Sequence, residues 1–207
     1  MKNPLILLTA LLVLGVSACS APYFTKPFDE GVKVNQLPDE YLGEYKIITR
    51  YIESETGDYK ADTSKETILL VSNGVFMNID SGETVNPLDT ANEDFISLKG
   101  EDVAMMKYKG VYYISSKEKS PTTDSIYYII TQVKKTKKGL LMKWIDNDDA
   151  RLIEKLEKRC KKEKVLYTSP KCEFNCNIPV FSCDSKKLHK FFESEIPDSL
   201  AILLVKM

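Results

Sequence analysis

The chain has a single histidine, His189, so no imidazole pair exists for a histidine-based relay, and no serine sits in a Gly-x-Ser-x-Gly turn that would present it as a nucleophile. Glycine is scarce too, at 9 residues in 207, and none is grouped into a phosphate-cradling loop. Excess charge of one sign is missing: 29 basic side chains face 30 acidic ones, which leaves no electrostatic footprint for a nucleic-acid partner. No apolar run reaches the roughly 20 residues of a membrane-spanning helix. These absences remove the common signatures of catalysis. They make a non-enzymatic binding or interaction module the expectation, with no cofactor implied. The alternative is a carboxylate-dependent hydrolase acting on cell-wall or exported material, because so many acids always offer pairs.

What is present begins at the N-terminus. Lys2 precedes an apolar run from Pro4 to Val16, broken only by Thr9 and Gly15, and small residues follow. That is the layout of an export signal. It ends in Val16-Ser17-Ala18-Cys19, an aliphatic residue, two small ones and a cysteine, which resembles the lipobox of bacterial lipoproteins. The resemblance covers the first twenty residues. It implies cleavage after Ala18, a diacylglyceryl group on the thiol of Cys19 and an acyl group on its freed amine. Two or more chains hold a protein stably on a membrane, whereas one holds it marginally. Ser20 stands where that family places aspartate for inner-membrane retention, so the outer membrane of a cell envelope is the expected address. The chain then divides into a signal over 1–18, a lipidated tether over 19–38 carrying Pro22, Pro27 and Pro38, and one globular domain over 39–207. The expected partners are the membrane, through Cys19, and either an envelope protein or a small apolar ligand.

Within the domain, Tyr45, Ile47, Thr49 and Tyr51 alternate with Glu44, Lys46, Ile48 and Arg50 at the two-residue period of a strand with one wet face. Thr67–Ser72 and Val75–Asp80 flank Asn73-Gly74, the strongest short hairpin signal, and residues 81–94 read as a loop or weak edge. Strands are expected at Phe95–Leu98, Val103–Tyr108, Val111–Ser116, Ile126–Val133 and Leu140–Ile145, with turns at Lys109-Gly110 and Gly139. Asn147-Asp148-Asp149 should cap a helix whose Leu152, Ile153, Leu156 and Cys160 share a stripe. Further strands fall at Val165–Thr168 and Ile178–Phe181. Ser185 should cap a second helix with Leu188, Phe191 and Phe192 inward, ended by Pro197, and Leu200–Val205 is a last strand. The expected class is α+β: an antiparallel β-meander or partly closed, lipocalin-like barrel with two C-terminal helices. Gly43 two residues before Tyr45 is similar to the opening of lipocalin-type barrels, with tyrosine in place of that family's tryptophan.

Four cysteines follow Cys19: Cys160, Cys172, Cys176 and Cys183. In an exported chain an even cluster reads as two disulfides, with three pairings open. A four-thiolate zinc site fits the spacing poorly, since Cys160 and Cys183 make no second chelating pair beside Cys172 and Cys176. Asp146, Asp148 and Glu157 count as a calcium loop only until Arg151 occupies the glycine position, so no metal is expected. The Tyr112-Tyr113 and Tyr127-Tyr128 pairs suit cross-strand packing or an aromatic ligand wall. Charge is split along the chain: residues 20–103 hold 17 acids and 7 bases, residues 104–207 hold 13 acids and 21 bases. That reads as two mutually attracting solvated faces, or as a basic surface for lipid headgroups or an acidic partner.

Overall fold

The computed structural model describes residues 21–52, 59–79, 95–98, 100–120, 124–147, 149–167 and 177–207. The export signal, Ala18, Cys19, the turn expected from Thr56-Gly57-Asp58, the loop expected over 81–94, Asp148, Cys172 and Cys176 lie outside the described residues.

Among the described residues thirteen strands join one sheet. They are β1 (Tyr23–Phe24), β2 (Val32–Val34), β3 (Gly43–Ile52), β4 (Tyr59–Val71), β5 (Gly74–Ile79), β6 (Phe95–Ser97) and β7 (Val103–Tyr108), then β8 (Val111–Lys119), β9 (Ile126–Thr136), β10 (Gly139–Lys143), β11 (Lys161–Tyr167), β12 (Asn177–Ser182) and β13 (Ile202–Lys206). Helix α1 (Ala150–Glu157) precedes β11, and α2 (Ser185–Glu195) follows β12. The order β2-β7-β8-β9-β10-β13-β3-β4-β5-β6 is antiparallel at every step and curls into a half-barrel. Strand β9 is the branch point. Its C-terminal half pairs with β10, while Tyr128 nearer its start pairs with Phe24 of β1, which lies parallel to β12. The class is α+β and barrel-like, with both helices packed on one side.

Local chemistry accounts for the junctions. Lys109 and Gly110 both have positive φ, 49° and 82°, as the tight β7–β8 hairpin requires. The β4–β5 hairpin forms where Asn73-Gly74 predicts it, but one residue early. Ser72 and Asn73 make the loop and Gly74 already pairs with Val71. The carbonyls of Ser72 and Asn73 accept from the amides of Leu37 and Leu98, at 2.9 and 2.8 Å, which holds the loop in that register. Asp149 caps α1 by accepting from the amides of Arg151 and Leu152. Asp184, not Ser185, caps α2, because its carboxylate reaches the amides of Lys186 and Lys187 while Ser185 turns inward to Asp29.

Residues 21–38, expected as part of the tether, belong to the folded domain. Tyr23 and Phe24 are paired into the sheet, Val32–Val34 pairs with β7, and Ala21, Tyr23, Phe24 and Phe28 are buried. The aromatic residues decide this, since a flexible spacer would leave them in water.

The sheet buries apolar side chains on both faces. On the concave face Tyr45, Ile47, Ile68, Leu70, Met105, Tyr112, Val133, Leu140 and Leu204 form one cluster. On the other, Phe28, Tyr113, Ile130 and Phe181 meet Leu152, Leu156, Leu188, Phe191 and Phe192 of the helices. Strand β8 therefore alternates between two cores rather than between core and water. Lys143, 3% exposed, ties down the end of α2. Its Nζ donates to the carbonyl of Ile196 at 2.8 Å and pairs with Asp198 at 2.6 Å.

The structure pairs Cys160, just after α1, with Cys183, just before α2. The bridge closes a sequence separation of 23 residues. Removing it by Cys160→Ala with Cys183→Ala is expected to lower stability by about 3 kcal/mol, read as a shift of the denaturant midpoint. An unshifted midpoint would show that the helices hold this region without the bridge.

Candidate functional site

The curl of the sheet leaves space on its concave face. Leu37, Tyr41, Ile68, Leu70, Val75, Leu98, Tyr112, Ile114, Val133, Leu140, Met142 and Leu204 enclose a cavity of about 50 Å³. Seven strands or their ends contribute, and no charged side chain is among the walls. The inward positions follow the period of two: Tyr112 and Ile114 on β8, Leu140 and Met142 on β10, Ile68 and Leu70 on β4. Tyr41, delivered by a 3-10 turn over Asp39–Tyr41, stands edge-on to Tyr112 with ring centroids 5.2 Å apart. The Tyr45 hydroxyl donates to the Tyr41 carbonyl at 2.9 Å, fixing that turn. Burial pushes the Tyr41 hydroxyl up to about 12, with Tyr112 and Glu40 adding to it, so the wall stays neutral at ordinary pH. Trp144, the one tryptophan, packs against this cluster and against the neighbouring one of Ala21, Tyr23, Tyr127 and Ile129.

At one end of the cavity the same face changes character. A groove of about 280 Å³ is lined by Glu40, Tyr45, Lys135, Thr136, Lys137, Lys138, Gly139, Leu140 and Lys206. Leu140 belongs to both spaces. Gly139 is required there. Its φ is +143°, and a Cβ would lie 1.9 Å from the carbonyl oxygen of Leu204, so only glycine lets β10 approach β13.

The sequence-derived candidates disperse. Cys19 and Ala18 lie outside the described residues, as do Cys172 and Cys176. Of the tyrosine pairs, Tyr112 lines the cavity, whereas Tyr113 stacks on Phe28 with centroids 3.7 Å apart and Tyr127 stacks on Tyr23 at 5.8 Å. His189 sits in a half-buried network away from the cavity. Its Nδ1 is 2.7 Å from the Tyr113 hydroxyl, which also accepts from Gln132 Nε2 at 2.7 Å. The Tyr113 oxygen has lone pairs for both neighbours, so its bond to the imidazole runs in whichever direction the tautomer sets. Burial lowers the His189 pKa, with Lys109 and Lys134 in the same direction and Glu193 against. Of the calcium candidates, Glu157 pairs with Lys162 at 2.7 Å, and no group of three or more metal-ligating side chains occurs among the described residues.

One further group was not visible in the sequence. Glu118 of β8 is 8% exposed, opposite Tyr127, and burial pushes its carboxyl up to about 7, with the Asp102 carboxylate adding to it. No family model matches the chain, and no curated protein or solved structure is significantly similar to it.

Proposed function

We propose that this chain is a lipid-anchored cell-envelope protein that acts by binding, and that the concave face of its half-barrel receives an apolar ligand. The cavity carries this reading. Protein interiors are close-packed and leave few voids larger than a water molecule, yet here strand-borne leucines, isoleucine, valine and tyrosines stand around open space with no charge among them. Such concave, apolar walls are the usual form of a small-molecule site. The volume of about 50 Å³ restricts what enters. An engineered cavity of about 150 Å³ takes benzene, so this one suits the end of an alkyl chain better than a ring. The lipobox at Val16–Cys19 supports the address, with Cys19 acylated and the domain on the envelope side of the membrane. The hydrolase alternative has less behind it. The cavity contains no carboxylate, and the groove has Glu40 alone, which Lys135 holds below the usual carboxylate range.

Native mass spectrometry of protein extracted from its own host membranes tests both halves. Acyl mass on Cys19 and a co-purifying apolar molecule at one per chain are expected, the latter lost in Val133→Phe, which projects a ring into the cavity. A non-acylated Cys19 in the mature protein would overturn the anchor, and an adduct unaffected by Val133→Phe, or none, would overturn the ligand site.

A further inference from the structure

Three adjacent strands change from apolar to cationic within one two-residue step of each other at the same end of the concave face. On β9, Val133 lines the cavity and Lys135 lines the groove, and on β13 Leu204 is followed in the same way by Lys206. On β10, Leu140 faces both. Registers Leu140↔Lys135 and Leu140↔Leu204 place these side by side. A two-residue step along a strand is about 7 Å, so ammonium groups stand within one headgroup's reach of the cavity. The β9–β10 turn adds Lys137 and Lys138. Thr136 holds this turn by donating to the Gly139 carbonyl at 3.0 Å and accepting from the Lys138 amide at 3.2 Å.

The charge here is not balanced internally. Glu40 pairs with Lys135 at 2.8 Å. Among the described residues no carboxylate forms an ion pair with Lys137, Lys138 or Lys206. Gly43 lies beside the Lys206 stem, where a Cβ would come 2.9 Å from the Lys206 Cε.

We infer that the ligand of the concave face is a single-chain lipid with an anionic head: the alkyl end enters the cavity past Leu140 and Tyr41, and the head rests among Lys137, Lys138 and Lys206. This rests on the binding reading above and specifies its chemistry. Ammonium groups suit a carboxylate or a phosphate without the planar geometry that an arginine pair would impose. The cavity volume selects one thin chain, and the groove is large enough for a single compact head.

The test uses the chain from Ser20 onward, which carries every described strand and helix, and follows Trp144 fluorescence at low salt. Its titrants are tetradecanoate, tetradecyl phosphate and tetradecanol below their micelle concentrations. Three solvent-exposed ion pairs together are worth about tenfold in affinity, so at least one anion should bind about tenfold tighter than the alcohol, and the tighter of the two identifies the head. The preference should shrink as salt rises. It should fall to within about twofold in Lys137→Ala/Lys138→Ala/Lys206→Ala, with alcohol binding unchanged. Removing three exposed lysines on the helices instead, Lys158, Lys186 and Lys187, should leave it intact. Equal affinity for acid, phosphate and alcohol in the unaltered protein would overturn the anionic head while leaving the apolar site standing. Equal loss in both triple variants would reduce the effect to net charge and overturn the groove. Binding of none of the three would overturn the apolar site itself.

Discussion

Phe28→Ala is expected to unfold much of this protein's margin of stability, at a cost of about 3–5 kcal/mol. The residue is 1% exposed and lies in the segment between Ala21 and Pro38, whose prolines suggest a tether. Its ring stacks face to face on Tyr113, with centroids 3.7 Å apart and planes within 5°, and meets Tyr108 at 5.8 Å. Its amide donates to the Ser115 hydroxyl at 3.0 Å. The next residue continues the docking: the Asp29 amide donates to Ser185 Oγ at 3.1 Å, and that hydroxyl donates back to the Asp29 carboxylate at 2.6 Å. Truncation would leave a ring-sized void between β8 and α2 and free the strand pairing of β1 and β2 at once. The measurement is the denaturant midpoint, with Lys26→Ala, an exposed neighbour, as control. A loss under about 1 kcal/mol, as surface sites give, would mean the segment is a tether after all.

Phe28 also marks where sequence reading stops. Strands β7 and β8 are legible because two independent constraints coincide, a β-branched and aromatic run on each side and a Lys109-Gly110 turn able to take positive φ. Helix α1 is legible for the same reason: a cap at Asp149 agrees with the stripe of Leu152, Leu156 and Cys160. Strands of two and three residues, such as β1 and β2, carry no measurable period, and the strands that pair with them, β12 and β7, are distant in the chain. Only the aromatic pair of β1 hints at burial, and β2 has no aromatic residue and is largely exposed. The length of β4 is likewise underread, since Thr67–Val71 has the apolar signal and the preceding Tyr59–Glu66 is polar while still paired with β3.

The candidate site shows the same division. Its wall residues are readable as inward positions of strands, but whether such walls close or stand apart depends on curl and register, which no window of sequence contains. Lys135, Lys137 and Lys138 are visible as a run at a turn. Lys206 joins them only because β13 lies between β10 and β3. The uneven charge along the chain is the one signal that pointed there, and it reads equally well as solvated surface. The choice between those readings comes from Leu140, which places the cationic groove at the end of the apolar cavity.

The second large effect is expected in how stability varies with pH, through Glu118. Its carboxyl, buried on β8 and close enough to Tyr23 to raise that hydroxyl's pKa, titrates at about 7, against about 4.3 in an unfolded chain. Between those values the folded state holds a proton that the unfolded state has released. The contribution is therefore fully favourable below the unfolded value and is lost as pH rises through 7. At 1.36 kcal/mol per unit over the interval from about 4.3 to about 7, the loss is about 3–4 kcal/mol and is nearly complete by pH 8. His189 works in the opposite sense. Its pKa is lowered by burial, so its neutral, Tyr113-bonded form is destabilised as pH falls below about 6.5. Glu118→Gln, neutral throughout, should therefore be spared a loss that costs the parent about 3–4 kcal/mol between pH 4 and 8, of which only about 1.4 kcal/mol falls between pH 6 and 8. Urea midpoints at each pH measure the difference, and the comparison cancels His189 because both proteins retain it. Parallel profiles would mean that the Glu118 carboxylate stays ionised and solvated despite its position. A divergence that grows between about pH 4 and 7 and levels off above pH 8 would establish a protonated carboxyl within the fold, able to donate a hydrogen bond without placing a charge beside Tyr23 and Tyr127.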